Sequence, residues 1–534
     1  MKYSLFRVRF LGRNLGILKE REDLTAQGVG YTQHEGARSQ RVDSTGEETM
    51  KMLIDGKFVD ASEGTVIDVF NPYTGALIDQ VPGAGKGDVD RAVQAARAGS
   101  GVMAAMPAHA RAALLEGLAE KIDRNREELA VLLVKENGKT ITHTRYEINT
   151  TVNLYRGFAE EAKRMFGHTI PMDTLPGAGC EDMFAFTVRH PVGVVVGIAP
   201  FNYPVELFAH KLGPAIAAGN SFIGKLPSEC PLTLLKLGEY MQEVGFPAQS
   251  VQLLTGRGAD MGEYLISREG VDYVSFTGSV SSGIGIAGIC SRRLARYNLE
   301  LGGSDPLVVW RDADLDLSVD RIAAGRFMSG AGQICCAVKR VIVHRDVHDK
   351  LVKKLIERSR TIIHGDPMDE RTELGPMIHK QAAAKVKDQV DRSIEGGAVC
   401  VLGNGIVEGN IFLPTILTDV TPYMPVMKEE VFGPVIPIYA VHTLEEAIAV
   451  ANGTGFGLQS AIMTENITDA MRFALAVEAG GVVINSCGAF RPGNVPFGGF
   501  KKSGVGRESL MTSIEEMTEE KTVVISGVST GRGI

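Results

Sequence analysis

The chain has 534 residues, 44% of them hydrophobic and 22% charged, with a net charge of −8, so it can bury more than one large core and reads as multidomain. No long basic block sits behind that acidic balance, which excludes nucleic acid and an anionic membrane surface as expected partners. Seven cysteines, scattered without a CxxC pair or histidines at ligand spacing, exclude a disulfide scaffold and structural zinc and fit a reducing compartment, most simply the cytoplasm.

Residues 1–49 are rich in Gly, Arg, Gln and acidic side chains, have no sustained apolar period after Leu18, and read as a poorly ordered extension. Residues 1–14 carry arginines and no acid but lack the continuous apolar core of a secretory signal. Met50 or Met52 is an alternative start of the folded protein. The longest uncharged stretches, 191–205 and 276–291, are broken by Gly, Pro or Ser and fall short of the roughly 20 apolar residues a membrane helix needs.

Valines and alanines recur three or four apart behind an acidic start over 88–97, which predicts an amphipathic helix, and 112–135 continues as helix. Four apolar runs rich in β-branched residues follow at 193–198, 221–223, 251–254 and 273–276. Without polar alternation they read as strands covered on both faces. Helical segments near 205–218, 231–244 and 261–268 separate them, so a doubly wound parallel sheet is expected. A second series, with strands at 306–309, 341–344, 399–402, 435–440 and 482–484 and helices near 318–328, 347–363, 381–395, 444–451 and 467–478, makes a second α/β domain beginning near Gly303.

In an open α/β sheet, ligands bind beyond the carboxyl ends of the strands. The first strand is followed by Ala199-Pro200-Phe201-Asn202-Tyr203-Pro204, a rigid turn that fixes one carboxamide between prolines. The second leads into Gly224-Lys225-Leu226-Pro227-Ser228-Glu229, an ammonium and a hydroxyl suited to a ribose or phosphate. After the fourth comes Phe276-Thr277-Gly278-Ser279-Val280-Ser281-Ser282-Gly283, glycines and hydroxyls opening a helix whose amides can meet a pyrophosphate. Together they favour a dinucleotide site, although G-x-G-x-x-G is absent.

Two further segments carry chemistry. Gly330-Ala331-Gly332-Gln333-Ile334-Cys335-Cys336-Ala337-Val338-Lys339-Arg340 presents a thiol in a small-residue turn ahead of a basic run, a setting in which positive charge or aligned N–H groups can lower a thiol pKa. The alternative is two small buried hydrophobes. Glu300-Leu301-Gly302-Gly303 brings a carboxylate to the domain junction, either as a surface ion-pair partner or as a base for water attacking a thioester.

Pro200-Phe201-Asn202-Tyr203-Pro204, Phe276-Thr277-Gly278-Ser279, Glu300-Leu301-Gly302-Gly303, Gly332-Gln333-Ile334-Cys335, Glu429-Glu430-Val431-Phe432-Gly433-Pro434 and Pro496-Phe497-Gly498-Gly499-Phe500-Lys501-Lys502-Ser503-Gly504 resemble, in order, the signatures of the NAD(P)-dependent aldehyde dehydrogenase superfamily. The resemblance covers about residues 52–525. It implies an α/β fold, aldehyde dehydrogenase-like, with two doubly wound α/β domains plus a small β oligomerisation domain. Residues 50–167 and 191–302 would form the dinucleotide-binding domain, 303–514 the catalytic domain, and 168–190 with 515–527 the oligomerisation strands of a homodimer or homotetramer.

The resemblance also assigns roles. Cys335 is the implied nucleophile, Asn202 the oxyanion donor with the Cys335 N–H, and Glu300 the base that hydrolyses the thioester. Ala199, Pro200, Phe201, Lys225, Ser228, Gly258, Phe276, Thr277, Gly278, Ser279, Gly283, Leu301, Glu430 and Phe432 are the implied cofactor contacts, and Lys211 and Glu508 match positions that relay protons in the family. Many NAD-preferring members carry Glu where this chain has Ser228, so NADP is expected to be tolerated or preferred, with Glu229 one place later.

The branch that looks nearest contains lactaldehyde, phosphonoacetaldehyde and non-phosphorylating glyceraldehyde-3-phosphate dehydrogenases. Substrate contacts are expected from Arg491, from Arg145 on a helix that would border the substrate tunnel, and from Ile334, which stands where an anion-binding arginine often sits. Arg491 either holds an anionic aldehyde or pairs with a neighbouring acid. The expected reaction is oxidation of a small hydroxylated or anionic aldehyde, such as lactaldehyde or a semialdehyde, to its acid. The alternatives are a CoA-acylating semialdehyde dehydrogenase, against which Glu300 argues, a thiol hydrolase, and a redox-silent binding protein on the same fold.

Overall fold

A computed structural model describes residues 49–328 and 330–527. The extension expected over residues 1–49 lies outside them but for its last residue, as does Ser329. The five central strands of an eight-stranded sheet run parallel in the order Val251–Leu254, Ser221–Lys225, Val194–Ile198, Tyr273–Thr277 and Arg296–Glu300. In chain order that is 3-2-1-4-5, so the winding reverses between Val194–Ile198 and Tyr273–Thr277. A crevice opens beyond the carboxyl ends at such a switch point. Antiparallel strands close both edges: Met52–Ile54 with Lys57–Val59 on one side, and Gly504–Val505 on the other.

A seven-stranded sheet follows in the order Val399–Leu402, Thr415–Thr418, Val435–Val441, Arg340–His344, Pro306–Val309, Gln459–Met463 and Gly481–Ile484. All its pairings are parallel except that of the edge strand Val399–Leu402. A separate antiparallel sheet joins Thr518–Ile525, Phe184–Pro191 and Thr169–Ile170.

Most predicted strands fall where the apolar runs lie, and the interior ones are buried along their whole length. Several elements differ from expectation, among them the strands Arg296–Glu300, Thr415–Thr418 and Gln459–Met463, which were not predicted. The helix predicted over 112–135 breaks at Asn125, whose backbone leaves the helical region and whose amide donates to the Lys121 carbonyl at 2.8 Å. The 22-residue helix Ile141–Ala162 was expected only from the resemblance that set Arg145 on a helix, since its several threonines weaken helix propensity; packing against Pro204–Ala218 and Ala108–Arg124 overrides that. The segment 318–328 divides into the helix Leu315–Ala323 and a wide turn, Ala324–Met328, with i→i+5 closure.

Two buried arginines lock the loops between the sheets. Arg326 donates from Nε to the Val435 carbonyl at 2.7 Å and from Nη2 to that of Val431 at 2.9 Å. Arg340 donates to the carbonyls of Ser304, Val450 and Ala451 at 2.7–2.9 Å. Both guanidiniums satisfy backbone carbonyls, including those of Val450 and Ala451 in the helix Leu444–Asn452, and each such charged bond is worth roughly 1.5–3 kcal/mol.

Candidate active site

The wide turn leads into a left-handed stretch, Gly330, Ala331 and Gly332, with φ of 53°, 53° and 73°. A side chain on Gly332 would lie 2.6 Å from the Gly433 carbonyl oxygen, so only glycine lets this loop pass beneath the 429–434 segment. Cys335 emerges from that turn partly exposed. Its backbone N–H makes no hydrogen bond with another described residue, and neither does the Asn202 carboxamide.

The basic run behind Cys335 does not lower its pKa in this state, contrary to the expectation from the sequence. Arg340 is spent on loop carbonyls, and Lys339 donates to the carbonyls of Cys335 and Gly303 at 2.6 and 2.8 Å and to Glu430 Oε1 at 2.6 Å. A hydrogen bond with the Cys336 thiol, together with burial, holds the Cys335 thiol well above its usual pKa, and the attraction of Arg491 and Lys339 only partly offsets this.

Glu300 ends the strand Arg296–Glu300, fully buried, with neither carboxyl oxygen hydrogen-bonded. Burial, reinforced by repulsion from Cys335, pushes its pKa well above the carboxylate range. Beneath it, Lys211 Nζ donates to Thr277 Oγ1 at 2.8 Å and to Glu508 Oε1 at 3.1 Å, while Arg491 pairs with Glu508 Oε2. Glu508 thus balances two buried cations, which hold its pKa down to about 2 despite burial. Arg491 also lies over the Phe497 ring, 4.3 Å from its centroid, and its Nε is buried without a partner.

Two cavities meet here. One of about 850 Å³ runs along the switch-point crevice, and one of about 410 Å³ opens on the other side. Asn202 and Cys335 are the two residues that line both. Ala199, Pro200, Phe201, Lys225, Ser228, Gly258, Phe276, Thr277, Gly278, Ser279, Glu300, Glu430 and Phe432 line the larger cavity. Gly283 and Leu301, expected there, instead pack on one another behind the wall: a side chain on Gly283 would lie 2.6 Å from the Leu301 methyl.

The smaller cavity is lined by Ile334 and Arg491, as expected, and by Thr142, His143, Tyr146 and Glu206, which the sequence did not single out. Arg145 is a correction. It points to the surface, where it pairs with Glu127 and Glu370 at 2.6 and 2.7 Å, because Thr142, His143 and Tyr146 share a helix face from which position 145 is turned away. A third cavity of about 430 Å³ shares Tyr146, Ala489 and Arg491 with the smaller one and extends it towards the exposed Phe490.

The larger cavity suits a dinucleotide. The Lys225 ammonium is nearly buried, faces the cavity and has no described partner. Ser279 caps the helix Val280–Ser291, accepting from the Ser282 N–H, so that the amides of a 12-residue helix open on the crevice, a ready anion site. Glu430 is held at the opposite end, where it also accepts from the Gly303 N–H at 3.1 Å. No helix among the described residues is long and apolar enough to cross a membrane.

Residues 58–523 match the family model described as aldehyde dehydrogenase family. The chain is 39% identical over 460 residues to a 3-sulfolactaldehyde dehydrogenase of Priestia aryabhattai, covering 86% of this chain and 95% of that protein. It is 36% identical over 479 residues to a lactaldehyde dehydrogenase of Methanococcus vannielii, covering 89% and 99%. Among solved structures, a betaine aldehyde dehydrogenase from Staphylococcus aureus in complex with NAD+ superposes with a TM-score of 0.85 at 34% identity, over 90% of this chain and 95% of that one.

Proposed function

The chain belongs to the aldehyde dehydrogenase family and is an NAD(P)-dependent enzyme, and from that premise we propose that it oxidises a small hydroxylated or anionic aldehyde to its carboxylic acid through Cys335. The observation that carries this reading is the meeting of two cavities at Cys335 and Asn202. Aldehyde enters by the smaller cavity and the dinucleotide occupies the larger.

The Cys335 thiol gives up its proton to water, Sγ bonds to the aldehyde carbon as the carbonyl π bond opens, and the oxygen that gains charge is held by the free Asn202 amide and the free Cys335 N–H. Donors already aimed at that oxygen need no reorganisation, and one such donor is worth roughly 10²–10³ in kcat. When bound in the crevice, an oxidised nicotinamide would supply positive charge and a hydride acceptor for the adduct on Cys335. Lys225 and Ser228 hold the adenosine ribose, the amides after Ser279 meet the pyrophosphate, and Glu430 with Phe432 orients the nicotinamide end. Cys335 then carries the acyl group as a thioester. Glu300, unpartnered and in its ionised form a strengthened base, takes a proton from the attacking water and returns it to the departing sulfur, so that the thiol is released with the acid.

Two relatives named for hydroxylated aldehydes support the substrate class. The buried Nε of Arg491 offers an anionic end one free donor, while Glu508 offsets its charge. Ser228 donates to the Gly256 carbonyl at 3.0 Å and presents no charge to a 2′-phosphate, which supports acceptance of NADP beside NAD. Two copies pair through the edge strand Thr518–Ile525, whose Val524 and Ile525 are exposed, and the scattered free thiols fit the cytoplasm. Residues 50–167 with 191–302, and 303–514, act as the cofactor and catalytic domains, although Gly504–Val505 completes the first sheet.

The test is an aldehyde panel run with NAD and NADP, with and without CoA, analysing the acyl product and the mass in solution. Free acid without CoA is expected. Strict CoA dependence would point instead to the acylating reaction, and no cofactor reduction with any aldehyde to a binding protein.

A further inference from the structure

Glu206 lies in the first turn of the helix Pro204–Ala218, where an acid ordinarily interacts with the free backbone N–H groups of the helix start. Here that role is taken. Glu147 Oε1, reaching across from the helix Ile141–Ala162, accepts from the N–H groups of Val205 and Glu206 at 2.9 and 3.2 Å. The Glu206 carboxyl is left lining the smaller cavity, 8% exposed, with no hydrogen bond or ion pair to any described residue.

The nearby cations, Arg491 and Lys139, attract the Glu206 carboxyl through space, but each is paired with another acid. Lys139 is paired with Glu147, and Arg491 with Glu508. His143, on the opposite wall, is held neutral at ordinary pH by burial, with a pKa lowered to about 4. A carboxyl withdrawn from water without a partner is costly, and the cost is offset only when a donor is brought to it. The cavity it faces is the one that reaches Cys335.

We propose that Glu206 is a specificity-determining residue that accepts a hydrogen bond from a hydroxyl or ammonium group of the aldehyde, so that the enzyme selects donor-bearing aldehydes over plain aliphatic ones. The inference rests on the reading of the smaller cavity as the aldehyde site. It adds a feature that Arg491 cannot supply, since a guanidinium only donates. A site built to pair a substrate donor rejects analogues that lack it, because its own buried polar group is then left unpaired.

The experiment measures kcat/KM of wild type, Glu206→Gln and Glu206→Leu for 2-hydroxypropanal, 3-aminopropanal and butanal at saturating cofactor. The wild type is expected to favour both donor-bearing aldehydes over butanal by at least about tenfold. In Glu206→Leu both preferences collapse. In Glu206→Gln, which keeps an accepting oxygen but no charge, the preference for 3-aminopropanal collapses and that for 2-hydroxypropanal largely survives. The Gln variant is nearly isosteric and guards against a folding defect in the Leu variant. Equal changes for all three aldehydes, or unchanged ratios, would overturn the proposal while leaving the dehydrogenase reading intact. A wild type that reduces neither cofactor with any of the three would remove both.

Discussion

Lys339 Nζ donates to Glu430 Oε1 at 2.6 Å, and the same ammonium donates to the backbone carbonyl of Cys335 at 2.6 Å. One buried cation thereby ties the loop that bears the proposed nucleophile to the carboxylate proposed to hold the nicotinamide ribose. Replacing it by Met frees Glu430 and loosens the Cys335 turn together. Lys339→Met is expected to raise the KM for cofactor and lower kcat, each by about tenfold or more, and to cost about 2–3 kcal/mol in denaturant unfolding, the worth of hydrogen bonds to a charged group. A KM change without a kcat change would separate the two loops.

Glu508 makes a pH prediction with a definite sign. Its folded pKa of about 2 lies below the ordinary 4.5, so its stabilising contribution is fully present above pH 4.5 and fades as pH falls towards 2. A shift of that size corresponds to about 3 kcal/mol. Glu508→Gln leaves Lys211 and Arg491 as buried cations without a counter-charge, so it is expected to unfold at lower urea concentration at pH 7. The gap to wild type should narrow as pH falls from 4.5, where the unfolded chain takes up the proton, towards 2, where folded Glu508 is itself protonated and equivalent to Gln; a gap independent of pH would contradict the ion network.

The Cys335 thiol sits above its usual pKa of 9.0 because Cys336 and burial favour the neutral form. Alkylation by iodoacetamide without cofactor is expected to be slow at pH 7 and to keep rising beyond pH 9. Cys336→Ala removes the hydrogen bond and moves that profile to lower pH. A wild-type rate that levels off near pH 7 would mean that the resting thiol is already ionised.

In the proposed cofactor site, Ser228 is the position at which charge would decide between the two cofactors. Introducing an acid with Ser228→Glu is expected to raise the KM for NADP by about tenfold or more relative to NAD, since a like charge within about 4–6 Å of the 2′-phosphate is unfavourable. Equal KM changes for the two cofactors would place the 2′-position away from residue 228.

The sequence exposes this architecture where physics is local. The strands Val194–Ile198 and Tyr273–Thr277 are apolar and β-branched enough to be read directly, and their following turns supply part of the crevice lining. Gln459–Met463 and Arg296–Glu300 were missed because their polar residues are buried by neighbouring strands rather than by their own pattern. Arg491 could be singled out, but its pairing with Glu508 depends on a turn that brings two loops together. Glu206 was hidden in a segment read only as a buried helix, and nothing local tells that Glu147 would take over its N-terminal role. Arg145 was set on the right helix by the resemblance, but one position away from Tyr146, which lines the smaller cavity.

Cofactor reduction by three proteins in a rapid-mixing experiment, with a saturating donor-bearing aldehyde, tests the central claim most directly. Wild type is expected to turn over steadily and Cys335→Ala to form no NAD(P)H. Glu300→Gln should release one equivalent per site in a burst and then stall, with its mass increased by one acyl group on Cys335. Sustained NAD(P)H formation by Cys335→Ala would contradict the account.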